Sequence, residues 1–548
     1  MGLIGYFSAE IGLESDLPTY SGGLGVLAGD HVKSAADAEI DLVAVTLLYR
    51  KGYCLQKLDQ MGNQIDRSVS YDPSDFLEKT NRSFSMQIHD ESVHVDIWKK
   101  EIVGSTGHRV PVYFLDTNHP SNSQAMIDLT GHLYGGDDRN RICQELLLGV
   151  GGVLTFEAME HEITGMHLNE GHCTFALLEK AKSWGREKVR KKTLFTTHTP
   201  VPAGHDRFEW SLVEELLGTL LPADAKQMVK DAGDEEDGKR CSMSHLGIAL
   251  SGQVNAVSSL NAEVASGMFS QTHINPITNG VHHITWTSEP FQALFDQSEP
   301  GWRQNPLLLE KSQFSDEQLL QAKESARMKL HQHILKQTGV TFEAHRLTIG
   351  FARRFATYKR ANLVFSDLEA LQRIGSGKIQ FIFSGKAHPK DMGGKALIKD
   401  IFKSSKSLSQ DIPVAFLEDY SMDTGLLMTS GVDIWLNNPT RPMEASGTSG
   451  MKAAMNGTPN CSILDGWWPE ACIHGVNGWA IGKGESDRDD ARDAAYLLSL
   501  LRDEIIPAWE NKSKSWPNIM RESISASVKF TGVRMIEDYA KLYLQMND

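Results

Sequence analysis

Short runs of β-branched and aromatic residues recur along this chain with longer helical patterns between them. That alternation limits the fold more than any other feature of the sequence. "DLVAVTLLY", "VPVYFLD", "KTLFTTHT", "RLTIGFARR", "KIQFIFSG", "IPVAFLED" and "GVDIWLNN" read as strands. "RICQELLLGVGGVLTFEAM" and "DEQLLQAKESARMKLHQHILKQ" read as helices. Strands separated by helices pair in parallel, because a parallel pair needs a crossover between its members. The 548 residues suffice for two or three domains with sizeable cores. A division near residue 285 is expected, giving α/β domains over 1–285 and 286–548. The amphipathic "FTGVRMIEDYAKLYLQM", a helix over about 528–546, is expected to cross back onto the first domain.

Charge narrows the function. The 55 basic and 70 acidic residues leave a formal charge of −15, which disfavours nucleic acid and acidic membrane surfaces as partners. No apolar run is long enough to span a bilayer. "MGLIGYFSAEIGL" lacks the basic and long apolar regions of a signal peptide. The six cysteines form no C-x-x-C pair, and the histidines lack metal-ligand spacing, so reduced thiols, no metal and a cytoplasmic location are expected. "DAGDEEDGKR" reads as a mobile surface loop.

Two glycine-rich loops fall on either side of the division, "YSGGLGVLAGD" and "EASGTSGMKAAMNG". Ligands of parallel α/β sheets gather at the carboxyl ends of strands. Two such domains facing each other would offer a cleft with one loop on each wall. In the second loop, Gly447, Ser449 and Gly450 allow close backbone approach, and Thr448 or Ser449 can cap the helix that carries Lys452. A helix N-terminus with free amides attracts anions. Taken alone, the segment is equally an ordinary capped helix with a solvated lysine. "ARRFATYKR" gathers Arg353, Arg354, Lys359 and Arg360 after a strand. Such a cluster suits phosphate oxygens, although a solvated basic turn is also compatible. Asn437, Asn438 and Glu444 precede the second loop; Asn169, Glu170, His172, His198, Asn279, His282, Trp286, Tyr134, Asp137 and Asp138 recur at other predicted loop positions. Amides, carboxylates and imidazoles in such places suit a hydroxyl-rich ligand such as a sugar.

Taken in order, "YFSAEIGL", "YSGGLGVLAGDHVKSA", "HLNEGH", "TTHTPVPAGHDRF", "NGVHH", "RRFATYKR", "FSGKAHPKD", "NNPTRPMEASGTSGMKAAMNG" and "LDGWW" make the chain resemble the α-glucan (glycogen, starch or maltodextrin) phosphorylases, above all their shorter bacterial and archaeal branch. The resemblance extends over almost the whole chain. It implies two Rossmann-like doubly wound domains of the GT-B glycosyltransferase type. It also implies pyridoxal 5′-phosphate on Lys452 through a Schiff base, with the cofactor phosphate taking part in catalysis. By matching position, Arg353 meets the cofactor phosphate, Arg354 the substrate phosphate, and Lys359 lies between them. Thr448, Ser449, Gly450 and Tyr420 match cofactor contacts. Gly22, Gly23, Leu24, Asp137, His198, Asn279, Glu444, Ser446 and Gly447 match the substrate side. The activity implied is retaining transfer of the terminal glucose of an α-1,4-glucan or maltooligosaccharide to inorganic phosphate, releasing glucose 1-phosphate. The position of Arg353 is often lysine in longer relatives. The start at "MGLIGYFSAE", without their N-terminal extension, leads to the expectation of an unregulated enzyme favouring short maltooligosaccharides. Two other readings use the same residues: a sugar-nucleotide-dependent glucan synthase, which would not need Lys452 as a Schiff base, and a glucan-binding protein without activity.

Overall fold

The computed structural model describes residues 2–201, 204–234, 238–408 and 411–546. The chain divides into two compact units. Unit 1 comprises Met1–Tyr53, Ser68–Asn279 and Gly532–Asp548; unit 2 comprises Cys54–Arg67 and Gly280–Thr531. The passage into unit 2 thus precedes residue 285, and a short excursion, 54–67, leaves the first half of the chain to join unit 2. That excursion is an antiparallel hairpin of Leu55–Leu58 and Gln64–Arg67, which no β-branched run marks in the sequence.

Unit 2 holds a six-stranded, wholly parallel sheet. Its spatial order is Val414–Leu417, Ile379–Ser384, Leu347–Ala352, Ile434–Asn437, Asn460–Ile463 and Gly478–Ile481. Numbered along the chain, this is the doubly wound order 3-2-1-4-5-6. The order reverses between Leu347–Ala352 and Ile434–Asn437, the kind of switch point at whose carboxyl ends parallel sheets bind ligands. Phe351, Phe381, Phe383, Ile434 and Leu436 are buried, as strands covered on both faces require.

Unit 1 follows the same plan. Leu42–Leu47 and Arg109–Asp116 lie on one side of Ile4–Ser8; Gly165–Asn169, Thr193–Thr197, Gln253–Ala256 and Asn275–Pro276 lie on the other, all parallel. The long strands Glu91–Val103 and Glu78–Ile88 extend the edge in antiparallel fashion. Here the order reverses between Ile4–Ser8 and Gly165–Asn169. The last helix, Gly532–Gln545, packs on helix Gly23–Asp37 and buries Met535, Ile536, Tyr539 and Tyr543 within unit 1. It begins later than the expected residue 528. The acidic stretch expected to be a mobile loop has its centre, 235–237, outside the described residues; at its edge Asp234 pairs with Arg207 at 2.9 Å. Among the described residues no helix is long and apolar enough to cross a membrane.

Candidate active site

The switch point of unit 2 collects the cations. Arg353 and Arg354 follow strand Leu347–Ala352, and Lys359 closes a 3-10 turn, Thr357–Lys359. From the neighbouring strand, Ile434–Asn437, the chain continues through Glu444 to the helix Thr448–Met455. The Glu444 carboxylate binds Arg353 at 2.6 Å and Lys359, both on Oε2. Arg353 also donates to the Asn437 side-chain oxygen. Burial opposes a charge on Glu444, yet Arg353 and Lys359 outweigh it and hold the carboxyl down at about 2. A carboxylate with two buried cations on one oxygen leaves net positive charge at this switch point, which suits an anion.

The helix Thr448–Met455 starts at Gly447, in the left-handed region at φ 82°, with no side-chain cap. This corrects the expectation that Thr448 or Ser449 caps it. Ser449 instead accepts from the Trp435 indole N–H at 3.2 Å, and Thr448 is the first helical residue. Gly450 has no room for a side chain, because a Cβ would meet the Asn460 amide and the Trp467 ring. The Ser446 hydroxyl is buried without a hydrogen-bond partner. Lys452 is buried, with its ammonium 3.6 Å from the centroid of the Trp286 ring. Asn456 fixes that tryptophan by donating to its carbonyl at 2.6 Å and accepting from the Ser288 N–H at 2.8 Å. The Tyr420 hydroxyl lies where a side chain on Gly425 would stand, and burial pushes it up to about 12.

Arg354 is exposed. Arg360 turns away from this group. It adopts φ 50° and donates to the carbonyls of Asn438 and Pro439, and it pairs with Asp490 at 3.0 Å and Asp493 at 2.7 Å. Its place in the sequence groups it with the anion-site cations; the structure makes it a strut.

Unit 1 places the polar loops at its own switch point. Gly22 precedes helix Gly23–Asp37 without a side-chain cap, and nothing would touch a Cβ on Gly22 or Gly23; Leu24 is half-buried. Glu10 holds this loop. It accepts from the Ser21 N–H at 2.5 Å and the Ser21 hydroxyl at 3.1 Å, and from the Tyr134 hydroxyl at 2.9 Å. Tyr134 itself has φ 57°, a costly conformation for a bulky residue. Glu170 accepts the amides of His198 at 2.5 Å and Thr199 at 3.0 Å. The His198 Nε2 meets the Asn169 side-chain oxygen, and burial lowers the imidazole to about 4, so the ring is neutral near pH 7. Asp137 caps helix Asp138–Ala158 by accepting from the Asn140 N–H at 2.9 Å. The buried Asn279 side-chain oxygen has no hydrogen-bond partner. Glu10, Asn456 and Trp435 escaped the site assignment from sequence, because each acts through a partner distant in the chain.

The sequence is similar to those of known proteins. The model of the carbohydrate phosphorylase family matches residues 209–470. The maltodextrin phosphorylase of Thermococcus litoralis is 37% identical, over 97% of this chain and 69% of that protein. The glycogen phosphorylase of Aquifex aeolicus is 34% identical, over 97% of this chain and 85% of that one. That of Mycobacterium tuberculosis is 34% identical, over 98% and 70%.

Proposed function

Because the chain belongs to the carbohydrate phosphorylase family, we propose that it is a retaining α-1,4-glucan phosphorylase. It moves the terminal glucosyl unit of a maltooligosaccharide or glycogen-like chain to inorganic phosphate, and it holds pyridoxal 5′-phosphate at Lys452. The observation that carries this reading is the buried cluster of Arg353, Lys359 and Glu444 beside the N-terminus of helix Thr448–Met455.

The residues fit such a cofactor. Lys452 offers an amine against the face of Trp286. The helix N-terminus offers amides, Ser446 a hydroxyl without a partner, and Gly450 a close backbone approach. When bound, the group supplies a phosphate as acid–base partner for the substrate phosphate. Arg353 and Lys359 gather anionic oxygens, and Arg354 supplies a further guanidinium for the substrate phosphate. Glu444, kept ionised, accepts from a sugar hydroxyl while it orients the two cations. His198 carries its proton on Nε2, toward Asn169, which leaves Nδ1 to accept from a glucosyl hydroxyl. Hydrolysis by a pair of carboxylates fits less well. Glu444 is occupied by cations and Glu170 by the amides of the His198 loop.

The test is direct. Purified protein is expected to show a pyridoxal absorbance band, and borohydride reduction is expected to fix the adduct on the peptide containing Lys452. Maltoheptaose with inorganic phosphate is expected to yield α-glucose 1-phosphate. An adduct elsewhere removes the cofactor assignment, and absence of glucose 1-phosphate removes the activity.

A further inference from the structure

Behind the loop from Glu444 to Gly450, here the anion loop, lies a buried carboxyl. Asp465 follows strand Asn460–Ile463 and is fully buried. Its Oδ2 accepts the Glu444 N–H at 2.9 Å, and its Oδ1 accepts the Gly466 N–H at 2.8 Å. Burial, then the nearby Glu444 charge, pushes its pKa up to about 7. A carboxyl buried beside another carboxylate is a costly choice. The geometry accounts for it. Two amides converge on one short side chain, and among short side chains only an ionised aspartate presents two acceptor oxygens with no donor; asparagine would aim an NH₂ at one of them.

The next two residues grip the same loop. Gly466 has φ 60°, and a Cβ there would collide with the Ser446 carbonyl. The Trp467 N–H donates to that carbonyl at 2.9 Å, and its ring lies against Gly450. Asp465, Gly466 and Trp467 therefore fix the backbone at Glu444, Ser446 and Gly450, the stretch that presents Glu444 to Arg353 and Lys359.

We propose that Asp465 is a positioning residue for phosphorolysis: its two carboxyl oxygens hold the anion loop where the Glu444 side chain meets Arg353 and Lys359. The proposal rests on the phosphorylase reading. A displaced Glu444 would let its two cations drift, so binding of the substrate phosphate should weaken and its alignment should suffer.

The test compares Asp465→Asn and Asp465→Leu with the parent holoenzyme. Ile398→Val, a buried substitution in helix Met392–Leu408, serves as a stability control. Leucine keeps the volume and removes both acceptors. It is expected to lower kcat by about tenfold or more and to raise the KM for phosphate. Asparagine keeps one acceptor and is expected to recover part of both. The control should lose melting temperature without change in either constant. A folded Asp465→Leu enzyme with parental constants overturns the proposal, as does a control that loses activity in proportion to its stability. Should Asp465→Leu not fold, Asp465→Asn decides, since an unchanged KM for phosphate overturns the proposal. A parent without phosphate-dependent turnover removes the function and this inference together. An active parent with unaffected Asp465 variants removes the inference alone.

Discussion

Arg354 and Arg360 close one basic segment, yet their surroundings give them opposite parts. Arg354 is exposed, whereas the Arg360 guanidinium is buried among two carbonyls and two carboxylates. Arg354→Ala is expected to cut phosphorolysis by about 30- to 1000-fold, the loss of one charge-assisted contact made in the transition state. Its melting temperature should stay near that of the parent. Arg360→Ala should instead lower stability, toward the lower end of roughly 3–5 kcal/mol, because it removes the 2.7 Å partner of the buried Asp493 and leaves it the Arg492 Nε at 3.6 Å. Denaturant unfolding beside steady-state kinetics separates the two, and an Arg354→Ala enzyme with full activity would refute the assigned contact. The sequence revealed the density of cations here. It could not reveal their direction, because the left-handed turn at Arg360 and its partners near residue 490 are properties of the folded chain.

The elements that sequence reading recovered are those whose pattern is set by burial. All seven strands named from β-branched runs are present, from Leu42–Leu47 to Ile434–Asn437, and so are the helices Asp138–Ala158 and Asp316–Thr338. The strands Glu78–Ile88 and Glu91–Val103 went unread. The first is mostly exposed and polar, so no apolar alternation marks it. Candidate site residues were legible where they end such strands; Glu10 and Asp465 lie in the motifs "YFSAEIGL" and "LDGWW", but their hold on loop amides is a property of the folded chain. Helix Gly23–Asp37 offers a test at this scale. A Cβ on Gly29 would collide with the Gly12 carbonyl, and one on Gly25 would press on the Glu10 carboxyl at 2.7 Å. Gly29→Ala must therefore push the helix off the segment around Gly12 and move the loop at Gly22 and Gly23. The expected cost is about 1–3 kcal/mol, together with a higher KM for substrate. A variant with parental stability and KM would show that the helix absorbs the methyl group without moving this loop.

Unit 1 is assembled from segments far apart in the chain, and its closing piece comes last. Helix Gly532–Gln545 fills a cluster with Ile4, Leu27, Leu194 and Ile277, and Tyr543 reaches a polar chain inside it. The Tyr543 hydroxyl meets His31 Nε2 at 3.1 Å and His167 Nδ1 at 2.7 Å, and His167 Nε2 meets the Thr196 hydroxyl at 2.7 Å. His31 stacks on Tyr6 at 4.6 Å. Burial, then the neighbouring His198, holds His31 down at about 3, and burial lowers His167 as well. A histidine near 6.5 in the unfolded chain and near 3 in the folded one contributes its stability fully above pH 6.5. That contribution is lost as pH falls toward 3, because the unfolded state takes up a proton that the folded state refuses. Glu10 and Glu145, whose buried carboxyls are raised, act in the opposite sense over part of that range, so total stability is a poor readout. The difference between parent and His31→Gln isolates one group. From pH 6.5 down to about pH 4, the parent should lose stability relative to the variant by about 1.4 kcal/mol per pH unit; above pH 7 the difference should be constant. Denaturant unfolding at half-unit pH steps measures it. A pH-independent difference would mean that His31 titrates alike in both states and that the helix is secured by its apolar face alone.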